Sequence, residues 1–133
     1  CDFAFAYQDA TIKLSEIAIG IGPFVIEPAV SRKIGKIAMI EMTLQPNTWQ
    51  TADWAKDKGL YADIFDSQDE VTEATTKLAK KLASYNPDAL GEMKKVFWQG
   101  TENWDDLLYE RAAISGKLVL SDFTKEALGQ FKK

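Results

Sequence analysis

A turn marked by glycine and proline, placed after a short apolar run, constrains the fold of this chain more than any other feature. The run Thr11–Ile17 carries one acidic residue, Glu16, and its composition predicts a short extended segment. Residues 17–22 are too rich in glycine and β-branched residues for a helix, so we expect a loop or a strand end there. Two glycines in that stretch and the proline after it, Pro23, predict a tight turn. One carboxylate is therefore expected beside a turn.

Two consecutive helices are predicted after this turn. The first begins at Pro23 or Pro28, because proline is tolerated in the first turn of a helix, where its missing N–H costs little. It ends at about Ile34, with Gly35 as the stop signal. The second helix covers residues 36–44, and the sequence Gln-Pro-Asn after it ends it.

The rest of the chain shows strands first and helices afterwards. Phe3–Tyr7 and Leu60–Phe65 alternate in a way that is typical of half-buried strands. After residue 66 we predict helices and no strand. The order predicts an α/β part over residues 1–66 and a helical region over residues 67–133. The predicted helices after residue 45 run from 48 or 51 to 58, from 68 to 84, from 86 to 97 or 98, from 103 or 104 to about 115, and from 121 to 132.

Composition excludes several kinds of function. The chain has 133 residues, enough for one domain, and its net charge of −4 without a basic cluster argues against a nucleic-acid partner. The absence of histidine excludes a Ser-His-Asp or Cys-His site within these residues and, with only one cysteine, argues against a zinc site. No apolar run is long enough to span a bilayer, so no membrane partner is expected.

The order of residue types over Ser15–Gly35 resembles the crotonase superfamily, the enoyl-CoA hydratases and isomerases. The matching features are the glutamate, the glycine-proline turn, and the pattern Val-Ile-x-Pro-x-Val-x-Arg-x-Ile-Gly. The Val-Ile and Pro of this pattern are more similar to the methylglutaconyl-CoA hydratase branch, and the commoner Gly-Gly-Thr-Gln-Arg form is absent. Weaker matches continue through Trp54–Leu60 to Ser121–Glu126, so the resemblance covers nearly the whole chain.

This resemblance implies an α/β chain with the crotonase fold, a spiral of β-β-α units. Cys1 and Asp2, followed by an apolar strand, match the segment just after the family's Gly-Gly-Gly turn. We therefore expect the C-terminal portion of the fold, although a first-position cysteine could instead be a lipid attachment site. The helical region is expected to build homo-oligomers, either trimers or hexamers.

Glu16 is the candidate catalytic residue. A carboxylate between Leu14 and Ile17 beside a glycine turn is expected in a partly apolar pocket, which suits it to proton transfer. From the residues alone, a solvated glutamate at a strand end is favoured over this interpretation. The resemblance reverses that order, because Glu16 matches the family's catalytic glutamate. Ser15 replaces the proline that usually precedes it.

The resemblance also implies substrate contacts. Gly20, Gly22 and Pro23 match the turn that shapes the acyl pocket, and Ile19 is placed in the same pocket. Phe24 replaces the glycine whose N–H helps to position a water, so it brings a bulky ring to that place. Phe131 matches an aromatic residue that in some members approaches the adenine of coenzyme A. By the residues alone, Glu27 and Glu41 are more simply explained as exposed or cap-paired charges.

The activity implied is the hydration or isomerisation of an unsaturated acyl-CoA. No cofactor is expected beyond the coenzyme A carried by the substrate, and the expected location is cytoplasmic. The oxyanion hole and the second glutamate of true hydratases match positions before Cys1, so these 133 residues alone are expected to be inactive. The alternatives are an isomerase, hydrolase or decarboxylase with a single glutamate, and a subunit that assembles without catalysis.

Overall fold

The computed structural model describes residues 1–130. Short strands occupy the first half of the chain and helices dominate the second. The order begins with β1 (Phe5–Tyr7), β2 (Thr11–Ile12), a single 3-10 turn (Glu16–Ile19) and α1 (Glu27–Leu44). It continues through β3 (Gln50–Thr51), α2 (Ala52–Asp57), β4 (Asp63–Phe65), α3 (Gln68–Ala83), α4 (Pro87–Phe97), α5 (Trp104–Val119) and α6 (Asp122–Gln130).

The strands form two separate pairs. β1 and β4 are parallel, with Phe5 opposite Asp63, and α3 packs against both of them. β2 and β3 are antiparallel, with Thr11 opposite Thr51. Both predicted strands are present but are shorter than expected, beginning at residues 5 and 63.

Gly35 divides α1 into two segments, as the sequence predicts. Its backbone has φ 78° and ψ 158°, a conformation that is essentially restricted to glycine. The helix therefore changes direction at Gly35 and continues to Leu44. Both halves contribute to the same core, because Ile34 lies before the kink and Met39 lies after it.

The core lies where α1 meets the strands and α2. Its buried residues are mostly on α1, at spacings that place them on one helix face. Ala52 and Ala55 on α2 are fully buried, which lets that short helix approach closely. The core cluster consists of Leu14, Ile34, Ala38, Met39 and Met42, with Ile12, Val30, Trp54 and Leu60 packed against it.

The later helices are well capped but poorly buried. Ser67 accepts a hydrogen bond from the backbone N–H of Glu70, and Asn86 accepts from the N–H groups of Asp88 and Ala89. Even so, α3, α4 and α5 have no fully buried residue along their described lengths. The chain exposes 9324 Å², whereas a compact monomer of its mass is expected to expose about 7000 Å². Much of this helical surface is free to pack against further polypeptide.

Two predictions about local structure were wrong. Glu16–Ile19 was predicted to be extended or irregular, and it forms a turn of 3-10 helix. Gly20 allows this because it adopts φ 81° and donates its N–H back to Ile17, closing the turn. The helix that was expected to end near Ser115 continues to Val119, because the glycine within it lies in open space and does not interrupt it.

Candidate active site

Glu16 is the first residue of the 3-10 turn, which we call the Glu16 turn (Glu16–Ile19). The preceding Ser15 makes no side-chain capping hydrogen bond to it. The backbone N–H of Ile21 donates to the carbonyl of Glu16 at 3.0 Å, and the N–H of Gly20 donates to the carbonyl of Ile17 at 3.1 Å. These bonds fix the backbone of Glu16 relative to the residues that follow it.

One carboxylate oxygen of Glu16 has no hydrogen-bond partner. Its Oε2 atom is buried and accepts no hydrogen bond from any residue that the structure describes. A buried polar atom without a partner costs roughly 1–3 kcal/mol, more when it is charged. Such an atom in a folded protein calls for an explanation, and a ligand or a catalytic role is one of the common ones.

Glu16 lies in a groove of about 490 Å³, which we call the Glu16 groove. Besides Glu16, the only polar side chain that residues 1–130 contribute to its lining is that of Ser115 on α5. Apolar walls around one carboxylate strengthen the electrostatic interactions made inside the groove. The lining consists of Glu16, Ile21, Gly22, Pro23, Phe24, Val25, Ile26, Ala29 and Ser115.

A second, mostly apolar cavity of about 300 Å³ adjoins this groove, and we call it the Ile17 cavity. The two share the residues of the predicted turn, Gly22, Pro23 and Phe24. The second cavity extends from this turn along the later half of α1. Its remaining lining consists of Ile17, Glu27, Lys36, Met39, Ile40, Thr43, Leu44 and Arg111.

The ring of Phe24 lies against Gly22, and both residues line the two spaces. A Cβ atom placed on Gly22 would be 2.7 Å from Cε2 and 2.8 Å from Cζ of Phe24. Such distances are shorter than carbon contacts allow, so the position of the ring depends on the glycine. Phe24 therefore limits the space on both sides of the turn.

An ion pair connects α5 to the start of α1 beside the Ile17 cavity. Nη2 of Arg111 lies 3.7 Å from Oε2 of Glu27, and both side chains are about one-third exposed. Ser31 donates a 2.7 Å hydrogen bond to the other carboxylate oxygen of Glu27. Glu27 is thus neither simply exposed nor paired only within its own helix cap, as the sequence suggested, because it also pairs with Arg111 on α5.

The structure brings together most of the residues that the sequence predicts for the site. Glu16, Gly22, Pro23 and Phe24 line one continuous region. Ile19 lies on the Glu16 turn but lines neither space. The predicted contact at Phe131 lies outside the described residues.

The contributions of Ser115 and Arg111 were not predicted. Both lie on α5, far from Glu16 in the sequence, and neither belongs to a pattern that indicates a site. Only the tertiary placement of α5, which pairs with α1 through Arg111 and Glu27, brings them there.

Other kinds of site are not found in the described part of the chain. Residues 1–130 contain no group of three or more histidine, cysteine, aspartate or glutamate side chains arranged to hold a metal ion. None of the helices that the structure describes has the length and hydropathy required to cross a membrane.

Comparison with known proteins places the chain in a family. The family model described as enoyl-CoA hydratase/isomerase matches residues 1–131. No curated protein matches the chain.

Solved structures agree with the family match. The chain is similar to an enoyl-CoA hydratase/isomerase from Pseudoalteromonas atlantica T6c, with a TM-score of 0.88 and 20% identity, covering 98% of this chain and 53% of that one. The TM-score to an enoyl-CoA hydratase from Bacillus halodurans is 0.87, with 21% identity, and the match covers 98% of this chain and 52% of that one. The TM-score to an enoyl-CoA hydratase from Mycobacterium avium subsp. paratuberculosis K-10 is 0.84, with 24% identity, and the match covers 99% of this chain and 54% of that one.

The chain spans about half the length of these solved chains, and its mostly helical structure is that of the C-terminal portion of the crotonase fold, as predicted. It therefore belongs to the enoyl-CoA hydratase/isomerase family.

Proposed function

We propose that this chain forms part of an enzyme that hydrates or isomerises an unsaturated acyl-CoA through a thioester enolate. The observation that carries the proposal is that Glu16 lines a mostly apolar groove and that its buried Oε2 accepts no hydrogen bond from the described residues. A carboxylate held in this way is suited to donate or accept a proton at a substrate carbon.

In hydration, the oxygen of a water forms a bond to the β-carbon of the enoyl thioester, and a carboxylate base takes one of the two protons of that water. The double-bond electrons move to the thioester carbonyl, and the resulting enolate then takes a proton at its α-carbon. In isomerisation, a proton leaves one carbon of the acyl chain and returns to another. Glu16 is the group that we propose to handle the proton at carbon in either reaction.

Stabilisation of the enolate requires two converging N–H donors. We expect these donors, and any second glutamate, to come from the half of the solved chains that this chain does not cover. A second glutamate distinguishes a hydratase from the alternative that we retain, an isomerase, hydrolase or decarboxylase that uses Glu16 alone.

We propose that the acyl group extends from the Glu16 groove past Phe24 toward the Ile17 cavity. The apolar lining of that cavity, including Met39 and Ile40, is compatible with an acyl chain. We further propose that the chain lies near the methylglutaconyl-CoA hydratase branch of the family, because Val25, Ile26 and Pro28 are similar to the corresponding residues of that branch.

Assembly into a homo-oligomer is proposed from the large exposed surface. Ile37 and Tyr109 are each 80% exposed, and Leu44 is 68% exposed. Large apolar residues at this exposure are common at interfaces. A trimer or hexamer, as expected from the sequence, would cover part of this surface, and so would the uncovered half of the domain. A cytoplasmic location stays a prediction.

The test of the catalytic proposal is the substitution Glu16→Gln in the protein at its natural length. Gln keeps the size of the side chain and removes the proton-transfer function. With a short α,β-unsaturated acyl-CoA we expect kcat to fall by about 100-fold or more. Turnover is followed by the loss of absorbance of the conjugated thioester, and oligomeric mass by light scattering.

Glu41→Gln is the matched control, because Glu41 lies on α1 and lines neither the Glu16 groove nor the Ile17 cavity. It should leave both turnover and mass unchanged. Equal turnover in wild type and Glu16→Gln would refute Glu16 as the acid/base. A wild-type protein that assembles but turns over no unsaturated acyl-CoA would favour the non-catalytic assembly subunit instead.

A further inference from the structure

The last described helix, α6, packs against the Glu16 turn and lies directly beside Gly20, which follows the turn. A Cβ atom placed on Gly20 would lie 2.6 Å from Cδ1 of Phe123 and 2.7 Å from Oγ1 of Thr124. Thr124 is completely buried, whereas Phe123 is 62% exposed. The backbone of Gly20 and the side chain of Thr124 are therefore in direct contact, with no space between them.

The Glu16 turn lacks an anchor of its own. None of its four residues is fully buried, and no side chain caps its start. It contacts only α1 and α6 extensively among the described elements. Because backbone hydrogen bonds connect Gly20 and Ile21 to the carbonyls of the turn, a shift of Gly20 also shifts Glu16.

Thr124 is itself held in place by the start of α6. Oγ of Ser121 donates a 3.1 Å hydrogen bond to Oγ1 of Thr124, and the backbone N–H of Thr124 donates to Oγ of Ser121 at 3.3 Å. These bonds fix the hydroxyl of Thr124 against Gly20. A continuous set of contacts thus runs from Ser121 through Thr124 and Gly20 to Glu16.

We propose that Thr124 is a positioning residue for Glu16. By closing against Gly20 it fixes the Glu16 turn from outside and holds the Glu16 side chain at the groove that this residue lines. The catalytic consequence rests on the proposed function, whereas the structural coupling does not. α6 would thus act on the site of its own chain, in addition to any part it has in assembly.

The test is Thr124→Ala in the natural-length protein, read by two independent measurements. Hydrogen exchange of the amides of residues 16–21 should become at least several-fold faster than in wild type. In turnover of a short unsaturated acyl-CoA, kcat should fall about 10- to 100-fold with little change in KM, because a displaced catalytic group impairs reaction more than binding. Thr124→Ser, which keeps the hydroxyl, should restore most of both properties.

Thr72→Ala is the matched control, since Thr72 lies exposed on α3 and bonds only to the carbonyl one turn earlier. It should change neither measurement. If Thr124→Ala loses its circular dichroism signal, Thr124→Val replaces it, because it keeps the volume and removes the hydroxyl. Because Thr124→Val still fills the space beside Gly20 but loses the hydrogen bond from Ser121 to the hydroxyl, both effects should be in the same direction as in Thr124→Ala and smaller.

A second pair of variants reaches the same contact from the other side. Gly20→Ala and Gly100→Ala both place a side chain at φ +81°, but only the first meets α6, and nothing lies within 4 Å of the second. Exchange around residue 20 in Gly20→Ala should rise more than exchange around residue 100 rises in Gly100→Ala, and this excess over the shared backbone strain would support the proposal.

Unchanged exchange and kcat in the folded Thr124 variants would overturn the proposal. If the wild-type protein shows no turnover, the proposed function fails, and hydrogen exchange alone then decides the positioning role.

Discussion

The indole N–H of Trp98 donates a 3.0 Å hydrogen bond to a carboxylate oxygen of Asp2, which lies 96 positions earlier in the chain. The ammonium group of Lys94 pairs with the other oxygen of the same carboxylate. Nζ of Lys94 also lies 4.8 Å from the centroid of a Trp98 ring. These contacts attach the first residues of the chain to the end of α4.

The contact predicts a pH-dependent contribution to stability. The hydrogen bond from Lys94, followed by that from Trp98, holds the pKa of Asp2 below its usual value of 3.8. A carboxyl group whose pKa is lower in the folded state than in the unfolded state stabilises the folded protein at pH values above its unfolded-state pKa. This contribution is lost as the pH falls through the folded-state pKa. Asp2→Asn should therefore reduce the free energy of unfolding at pH 7 and have little effect in acid.

The size of this effect is small, because the Asp2 side chain is 44% exposed. We expect less than about 1 kcal/mol at pH 7. Urea denaturation of the wild type and Asp2→Asn across the acid range measures this difference in the free energy of unfolding. Trp98→Phe removes only one of the two donors to Asp2, so its pH-dependent loss should be smaller. A difference that stays constant with pH would contradict the assignment.

Gly35 should not tolerate a side chain, although there is space for one. Nothing lies within 4 Å of a Cβ atom at this position, so any cost of Gly35→Ala comes from the backbone conformation at φ 78°. We expect a loss of roughly 1–3 kcal/mol in the free energy of unfolding. Gly91→Ala is the control, because Gly91 lies in α4 with equally open space. Alanine at position 91 should stabilise the protein by about 0.5–1 kcal/mol. Equal shifts of the urea midpoint in Gly35→Ala and Gly91→Ala would contradict a cost that comes from the backbone conformation at Gly35.

Gly22 and Phe24 should be energetically coupled. Gly22→Ala forces the Phe24 ring out of its place, and crowding of this kind typically costs about 1–3 kcal/mol. In a Phe24→Ala background the same change should cost much less, because the ring is gone. A double-mutant cycle by denaturation measures the coupling. Additive effects would show that the ring moves aside freely.

Ser67 should stabilise α3 through its capping hydrogen bond. Its Oγ accepts from the N–H of Glu70 at 3.2 Å, and Oε2 of Glu70 accepts from the N–H of Asp66 at 2.9 Å. Ser67→Ala should cost about 1 kcal/mol, and Ser67→Asp should retain most of that stability. Ser84→Ala, at the other end of α3, serves as the control in the same denaturation series. Equal losses at both ends would argue against a specific capping effect.

The helices could be predicted from the sequence because their signals are local. Asn86 followed by proline, Ser67, Thr51 and Gly35 each mark a boundary that the structure shows to within a few residues. Caps and stop signals act through hydrogen bonds and backbone angles within one turn of the chain. Such signals require no knowledge of the rest of the fold.

The Glu16 turn could not be predicted in the same way. Its β-branched isoleucines favour extended backbone, and the turn forms because Gly20 closes it and α6 covers it. The same holds for Ser115, which lies on α5 and lines the groove only through tertiary packing. Long-range contacts decide the local conformation at this site. The resemblance made Glu16 the candidate, but the way in which it is held became visible only in the folded chain.

The contact between Gly20 and Thr124 also has a consequence for the order of events during protein synthesis. Residue 20 leaves the ribosome long before residue 124, so the turn that carries Glu16 emerges without its cover. The earlier strands and α1 can already pack at that stage, but the Glu16 turn can take its final place only after α6 has emerged. Pulse proteolysis of stalled nascent chains should cleave this turn in chains from which α6 has not yet left the ribosome. The turn should be protected in chains from which α6 has emerged.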